Sequence, residues 1–311
     1  MKFCFVILHY KNIGETTKCV SSIQENYIDY KIIIIDNASN DGSGEEIKQL
    51  YSSINGIDVI ILGNSRGFSH ANNIGIKFAR KKYDSDFYIV CNNDVQFVDK
   101  QMLSKINKIY RETQFSVLGP DIYYIKMAEH QSPFRIEWLK LDEALEEVRY
   151  YQNRLNLYID HKVFFKFLFK IEKCIDSVCL LRMVKNFIYF WLKRFSIYKQ
   201  HKNMHINMRQ YNVCLYGACL IVSRNFFIYF DELFSPETSF YAEEDILLTK
   251  CVMKNVKIVY EPCIQVTHTN KGSTFINGED KYKKMIWRLQ QLINSREIYI
   301  NFLKSLKNEF K

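Results

Sequence analysis

Two acidic clusters and one histidine are the residues of this chain best suited to chemistry. Asn92-Asn93-Asp94 closes an apolar run, Glu243-Glu244-Asp245 precedes another, and His268 follows a third. Hard cations such as Mg2+ or Mn2+ take oxygen ligands, commonly one or two carboxylates plus substrate phosphates, with water completing the shell. Asp94 with its neighbouring amides meets that need, a plain strand-to-turn aspartate being the alternative for the segment alone. The acidic triplet stands ahead of Ile246-Leu247-Leu248-Thr249-Lys250-Cys251-Val252 and so opens a helix. The positive end of a helix stabilises ionised carboxylates, leaving Glu244 or Asp245 able to accept a proton from a bound alcohol. Acids at helix starts are also common for purely structural reasons. His268 precedes the polar Thr269-Asn270-Lys271-Gly272-Ser273-Thr274, where a neutral imidazole either completes a metal shell or is satisfied by backbone.

Other polar residues fall where a donor substrate would need them. Asp36 ends Ile32-Ile33-Ile34-Ile35, and Asn37-Ala38-Ser39-Asn40-Asp41-Gly42 is turn chemistry. A carboxylate there accepts from a base N–H or a ribose hydroxyl, or else caps the following helix. Gly63-Asn64-Ser65-Arg66-Gly67-Phe68-Ser69-His70-Ala71-Asn72-Asn73 follows an apolar run and opens a helix. Its Arg66 offers a fork of donors to a diphosphate, as do the helix-start N–H groups; an ordinary turn with a solvated arginine is the competing reading. No glycine-rich phosphate signature of the P-loop or dinucleotide-binding kind occurs, which removes most support for those enzyme classes. His9, His70, His130, His161, His201 and His205 have no context comparable to that of His268.

The elements that must position these residues follow from hydrophobic spacing. Phe3 to Leu8, Lys31 to Ile35, Val59 to Leu62 and Phe87 to Cys91 are short, mostly β-branched or aromatic runs separated by helical spacing. That alternation predicts βαβ units and a largely parallel sheet. Ligands of such sheets lie beyond the carboxyl ends of the strands, where His9, Asp36-Asn37, Asn64 and Asn92-Asn93-Asp94 fall. From about Met127 to Tyr211 the chain is rich in Phe, Tyr, Lys and Arg with almost no Gly or Pro, which predicts a helical insertion. The sheet reading resumes at Cys214 to Val222 and Lys257 to Tyr260, and Glu279 to Leu306 reads as a terminal amphipathic helix. The expected segments are a first sheet-bearing part over 1–126, a mostly helical insertion over 127–212, a second sheet-bearing part over 213–278, and the last helix over 279–311.

Composition sets the outer bounds. The chain has 311 residues, of which 48% are apolar, enough for a sizeable core. A net charge of +9 suits an acidic partner: a nucleoside diphosphate, a lipid phosphate or an anionic membrane surface. No recognition motif supports nucleic acid. Nine cysteines without any C-x-x-C are expected to be reduced and packed. Met1 to Tyr10 reads as a buried strand rather than a secretory signal, so a cytoplasmic location is expected, with peripheral attachment to the inner membrane face as a further expectation.

In order and spacing these motifs resemble family 2 glycosyltransferases of the GT-A fold, especially bacterial rhamnosyl- and galactofuranosyl-type enzymes of surface polysaccharides. The matching pieces are Val6-Ile7-Leu8-His9-Tyr10, Ile35-Asp36-Asn37-Ala38-Ser39, Asn64-Ser65-Arg66-Gly67-Phe68 with Asn72-Asn73-Ile74-Gly75, and Asn92-Asn93-Asp94. Gly217-Ala218-Cys219-Leu220-Ile221, Phe230-Asp231-Glu232-Leu233-Phe234, Tyr241-Ala242-Glu243-Glu244-Asp245 and His268 continue the series. The resemblance implies an α/β GT-A fold with a mostly parallel central sheet flanked by helices, residues 1–126 being its nucleotide-sugar-binding half and 213–278 its acceptor or catalytic half. It also implies a metal-dependent, inverting transfer from a nucleoside-diphosphate sugar to a saccharide or lipid-linked saccharide acceptor. By it Asp36 contacts the nucleotide, Asp94 is the metal-binding acid of a D-x-D position, Asp245 is the general base with Glu244 in reserve, and His268 is a further metal or diphosphate ligand. Only the last member of Asn92-Asn93-Asp94 carries charge, a departure from D-x-D. A binding or scaffold protein that has lost catalysis and a sugar nucleotidylyltransferase are the alternatives.

Overall fold

The computed structural model describes residues 1–177, 206–269 and 280–309. It divides into two compact units, Met1–Trp138 with Ile206–Thr274, and Leu139–His205 with Phe275–Lys311. His201, His205 and the Asn270–Thr274 loop lie outside the described residues, as does the larger part of the insertion after Ser177.

The first unit is built on one sheet. Its strands are β1 (Phe3–His9), β2 (Tyr30–Asp36), β3 (Ile57–Ile61), β4 (Phe87–Asn92), β5 (Val95–Gln96), β6 (Val117–Tyr124), β7 (Glu129–His130), β8 (Gln210–Tyr211), β9 (Cys219–Ser223) and β10 (Ile258–His268). The order is β3-β2-β1-β4-β9-β6-β10-β5, with β7 beside β6 and β8 beside β10. β3, β2, β1 and β4 are mutually parallel, as are β6 and β10. β9 runs antiparallel to both β4 and β6, so the longer strands share one direction except this one.

Strand residues alternate between two cores, as a period of two requires. Phe5, Ile7, Ile32 and Ile34 pack with Cys19, Val20 and Ile23 of α1 (Ile13–Asn26), Ile47 of α2 (Ser43–Tyr51) and Ile106 of α4 (Met102–Thr113). Cys4, Val6, Ile33 and Ile35 face the other way, onto Ala71, Ile76 and Ala79 of α3 (Phe68–Tyr83) and Leu247, Leu248 and Cys251 of α7 (Glu243–Met253). Burial on both faces is why the β2 run is continuously apolar rather than alternating. α3 lies so close to the sheet that a Cβ on Gly75 would stand 2.6 Å from Val6 Cγ1 and 2.7 Å from Ile35 Cγ1.

The segment 127–212, expected to be mostly helical, does not open as a helix. Residues 129–130 pair with β6, and the stretch to Lys140 is irregular before α5 (Leu141–Asp160) begins. Pro133 has no N–H to give to a helix, and Phe134 and Arg135 donate instead to the Cys214 carbonyl while Cys214 N donates to Arg135 O. The second unit packs α5, α6 (Lys162–Ser177) and α8 (Lys281–Glu309) around Tyr158, Tyr282 and Leu289. Tyr282 Oη donates to Tyr158 O at 2.9 Å, and buried Arg296 holds Glu147 at 2.6 Å. No disulfide joins any two of the eight cysteines among the described residues. No helix among those residues is long and apolar enough to cross a membrane.

Gly75→Ala forces a methyl into the α3–sheet contact, and overpacking of this kind costs about 1–3 kcal/mol. A urea midpoint lowered accordingly, with an unchanged slope, is the expected result; an unaltered midpoint would show that the contact relaxes freely.

Candidate active site

β1 and β2 end in register, His9 beside Asp36. Asp36 is buried; its Oδ2 accepts from Ser39 N at 3.2 Å, and its Oδ1 has no hydrogen-bond partner. The side-chain oxygens of Asn37 and Asn72 are likewise buried acceptors without a donor. Orphaned acceptors are rare in folded proteins because each carries a desolvation penalty. Three at or beyond strand exits fit a ligand rich in N–H and O–H groups.

His9 does not reach such a ligand, being fully buried with both nitrogens engaged. Ser43 Oγ lies 2.6 Å from Asp41 Oδ1, and an ionised carboxylate only accepts, so the serine proton is directed there. His9 Nε2, 3.1 Å from Ser43 Oγ, must therefore donate. Burial pulls the His9 pKa below its ordinary value, although Asp36 and Asp41 push it back upward. In the neutral ring Nδ1 accepts from Thr16 Oγ1 at 2.6 Å, a nearer acceptor than Asn12 O at 3.1 Å. Thr16 in turn accepts from Asn93 Nδ2 at 2.9 Å. A one-way chain of donors thus runs Asn93, Thr16, His9, Ser43, Asp41 and fixes three loops under the strand tips.

The next residue, Asp94, meets His268, 174 positions further along the chain. His268 Nε2 is 3.1 Å from Asp94 Oδ1, both groups are buried, and Gln131 Oε1 faces His268 Nδ1 at 2.6 Å. Thr269 fastens this corner by donating its N–H to Asp94 O and its hydroxyl to buried Glu15 at 2.8 Å. The described residues contain no cluster of three or more His, Cys, Asp or Glu for a metal. A carboxylate and an imidazole side by side nevertheless fit a cation that takes its remaining ligands from a diphosphate and water.

The arginine loop is shaped by contacts behind it. Gly67 has φ +94°, and a Cβ there would lie 2.5 Å from Ser239 Cα, so only glycine lets the loop close onto that segment. Phe68 N donates to Ser239 O at 2.9 Å, and Ser69 and Thr238 share a buried 2.8 Å hydroxyl contact. Asn73 uses both ends of its amide on the Phe234 backbone, at 2.8 and 3.1 Å, and acts as a strut. Lys250 holds the same segment through the carbonyls of Glu232 and Leu233, each at 2.8 Å, and burial lowers its pKa to about 8. Asn64 and Arg66 stay exposed, and among the described residues the guanidinium has no ion-pair partner.

Tyr241 and Ala242 both adopt positive φ, 67° and 61°, immediately before α7. Consecutive left-handed residues without glycine are strained, and such strain persists where surroundings over-determine it. The turn delivers Glu243 and Asp245 into buried positions and leaves Glu244 half-buried. Asp245 Oδ1 lies 3.7 Å from Arg135 Nη1 and 3.8 Å from the Cys214 thiol. Glu244 Oε1 accepts from Gly217 N at 3.1 Å.

Tyr216-Gly217-Ala218 joins the parts. The Tyr216 ring stands 6.2 Å from that of His268, Gly217 N binds Glu244, and Ala218 O accepts from Asn92 N at 3.0 Å. Three consecutive residues therefore touch all three segments on which the chemistry was expected. Thr16, Gln131 and Arg135 are the site residues that sequence reasoning missed. His130, next to Gln131, also has a partner: Asp121 at 2.8 Å, which raises its pKa.

Two histidines give opposite pH signatures. For His9, with a lowered folded pKa, the unfolded chain takes up the proton first, so its stabilisation is lost as pH falls below the ordinary histidine value. For His130 the contribution is complete at low pH and is lost as pH rises through its raised value. His9→Gln should flatten the acid-side loss of urea stability between about pH 7.5 and 5.5; a slope identical to wild type would contradict the buried neutral assignment.

The family model of glycosyl transferase family 2 matches residues 4–176. The low-salt glycan biosynthesis hexosyltransferase Agl10 of Haloferax volcanii is 24% identical over 123 residues, or 32% of this chain, which spans only 39% of that relative's length. The mannosyltransferase PcManGT of Pyrobaculum calidifontis, solved with GDP-Man and Mn2+, aligns with 96% of this chain and 69% of its own at 10% identity and a TM-score of 0.52. GalNAc-T7, solved with UDP, GalNAc and Mn2+, aligns with 93% of this chain and 47% of its own at 12% identity and a TM-score of 0.53. Those structures share the GT-A fold with this one, and with more than half of its length matched by the family model the chain belongs to glycosyl transferase family 2.

Proposed function

We propose that this chain transfers a sugar from a nucleoside diphosphate to a hydroxyl of a saccharide acceptor, with inversion at the anomeric carbon. The observation that carries this reading is the turn Tyr216-Gly217-Ala218, which contacts the acid-bearing start of α7, the His268 ring and the exit of β4 together. A proton acceptor near a place for a diphosphate is what displacement at an anomeric carbon requires. The GDP-Man and UDP of the two solved relatives support a nucleoside-diphosphate donor.

In this mechanism Asp36, with the Asn37 and Asn72 oxygens, accepts hydrogen bonds from the nucleoside. Asn64, Arg66 and the first N–H groups of α3 face the diphosphate, the guanidinium supplying paired donors and a full positive charge. Asp94 and His268 would hold a divalent cation, Mn2+ or Mg2+, whose charge offsets that of the departing diphosphate. Asp245 takes the proton of the acceptor hydroxyl as its oxygen bonds to the anomeric carbon and the bond from that carbon to the diphosphate oxygen breaks. Arg135 and the Cys214 thiol hold the Asp245 carboxylate in place, while Glu244 keeps the Gly217 turn against α7. His9, Asn73 and Asn93 act beneath the donor as supports. The resemblance to surface-polysaccharide enzymes favours a lipid-linked acceptor and a bacterial glycan as product.

A sugar nucleotidylyltransferase needs a basic, glycine-rich segment after its first strand, and His9-Tyr10-Lys11-Asn12 is not one. A scaffold without activity has no need of a strained turn presenting buried carboxylates.

Release of nucleoside diphosphate from a panel of nucleotide sugars, with Mn2+ and candidate acceptors, tests the proposal. Asp245→Asn should lower turnover by at least about a hundredfold while donor affinity stays within a few fold. Near-normal turnover would remove Asp245 from the role and pass it to Glu244. No release or transfer from any donor would favour the scaffold reading.

A further inference from the structure

α6 presents an apolar face that nothing among the described residues covers. Phe165 and Phe169 turn inward onto Tyr158, at ring distances of 4.2 and 6.4 Å. Val163, Phe164, Phe167, Leu168 and Ile171 point the other way and are between 40% and 83% exposed. Their spacing of three and four residues makes a continuous stripe along about three turns. A soluble surface does not ordinarily leave two phenylalanines and three aliphatic side chains together in water.

Charge identifies the occupant. Lys162, Lys166 and Lys170 recur every four residues along one edge of the stripe; the Lys166 ammonium lies 5.7 Å over the Tyr282 ring, while Lys162 and Lys170 are exposed. Over residues 161–205 the sequence carries ten Lys and Arg against two Asp and Glu, so nearly all of the chain's net charge of +9 arises there. A second copy docked through this stripe would set the Lys162, Lys166 and Lys170 edge against its own like charge. A bilayer with anionic headgroups takes both parts, apolar side chains at the acyl boundary and lysines among the phosphates. We propose that α6 is an interfacial helix that docks the protein on an anionic membrane surface. This binding stands independently of the transferase reading, since it uses no residue placed in the site. It would hold the enzyme at the surface where lipid-linked acceptors reside.

Cosedimentation of the full chain with phosphatidylglycerol vesicles and with phosphatidylcholine vesicles tests the proposal, together with the solution mass by light scattering. The expected protein is monomeric, binds phosphatidylglycerol vesicles at least about tenfold more strongly than phosphatidylcholine, and is released by high salt. Phe164→Glu with Phe167→Glu should abolish binding, and Lys162→Glu with Lys170→Glu should weaken it at least about tenfold. All four side chains face outward, so circular dichroism and donor hydrolysis should match wild type. Failure to bind either vesicle would overturn the proposal. So would binding that survives the phenylalanine changes, or a dimer that those changes dissolve, which would make the stripe a protein interface.

Discussion

The site depends on one strand running the wrong way. β9 lies between β4 and β6 and antiparallel to both, so it starts where they finish. The residues that lead into it, Tyr216-Gly217-Ala218, are therefore laid across the carboxyl ends of the parallel strands, where any ligand of such a sheet binds. A parallel β9 would carry that turn to the opposite edge. As built, the turn is held by Ala218 O on Asn92 N at one side and by Gly217 N on Glu244 at the other, and the absence of a Gly217 side chain is what leaves Glu244 room: a Cβ would stand 2.8 Å from its Oε1.

Around that turn the chain buries carboxylates at a cost offset by specific partners. Asp94 has His268, Asp245 has Arg135 and the Cys214 thiol, Glu15 has Lys18 and Thr269, and Asp121 has His130 and Gln265. Buried charge is tolerable when paired and hydrogen-bonded. Asp36 is different, with one oxygen left unpaired at the β2 tip. That oxygen lies 3.9 Å from His9 Nε2, beyond hydrogen-bond reach. Neutral His9 adds to this, supporting the Asp36 loop through hydrogen bonds without adding a second charge.

The frame was legible in the sequence because burial on both faces leaves continuous apolar runs, and polar residues at their ends mark the strand exits. Asp36, Asp94 and His268 stand out as candidates in that way. The Cys214 to Val222 run illustrates the limit. Its apolar character suggests one strand, yet the regular strand spans Cys219–Ser223, since Cys214 pairs with Arg135 and Gly217 N is taken by Glu244. Thr16, Gln131 and Arg135 were invisible for a related reason: each acts through a partner far away in the chain, and neither periodicity nor local motif encodes that. The side chains of His9, Asn73 and Asn93, expected to meet substrate, engage the protein's own hydrogen-bond network. Residue type and position do not distinguish a ligand contact from a strut; the hydrogen-bond partners do.

In the proposed mechanism Asp94 and His268, brought together by the end of β10, would hold the divalent cation that offsets the charge of the donor diphosphate, and the rest of the proposal turns on that pair. Mn2+ titration followed by electron paramagnetic resonance, with and without a nucleoside diphosphate, tests it directly. Binding that tightens when the nucleotide is added, persists in Asp245→Asn, and is weakened at least about tenfold in both Asp94→Asn and His268→Ala is the predicted result. Nucleotide-dependent Mn2+ binding that is unchanged in both of the latter variants would contradict the account.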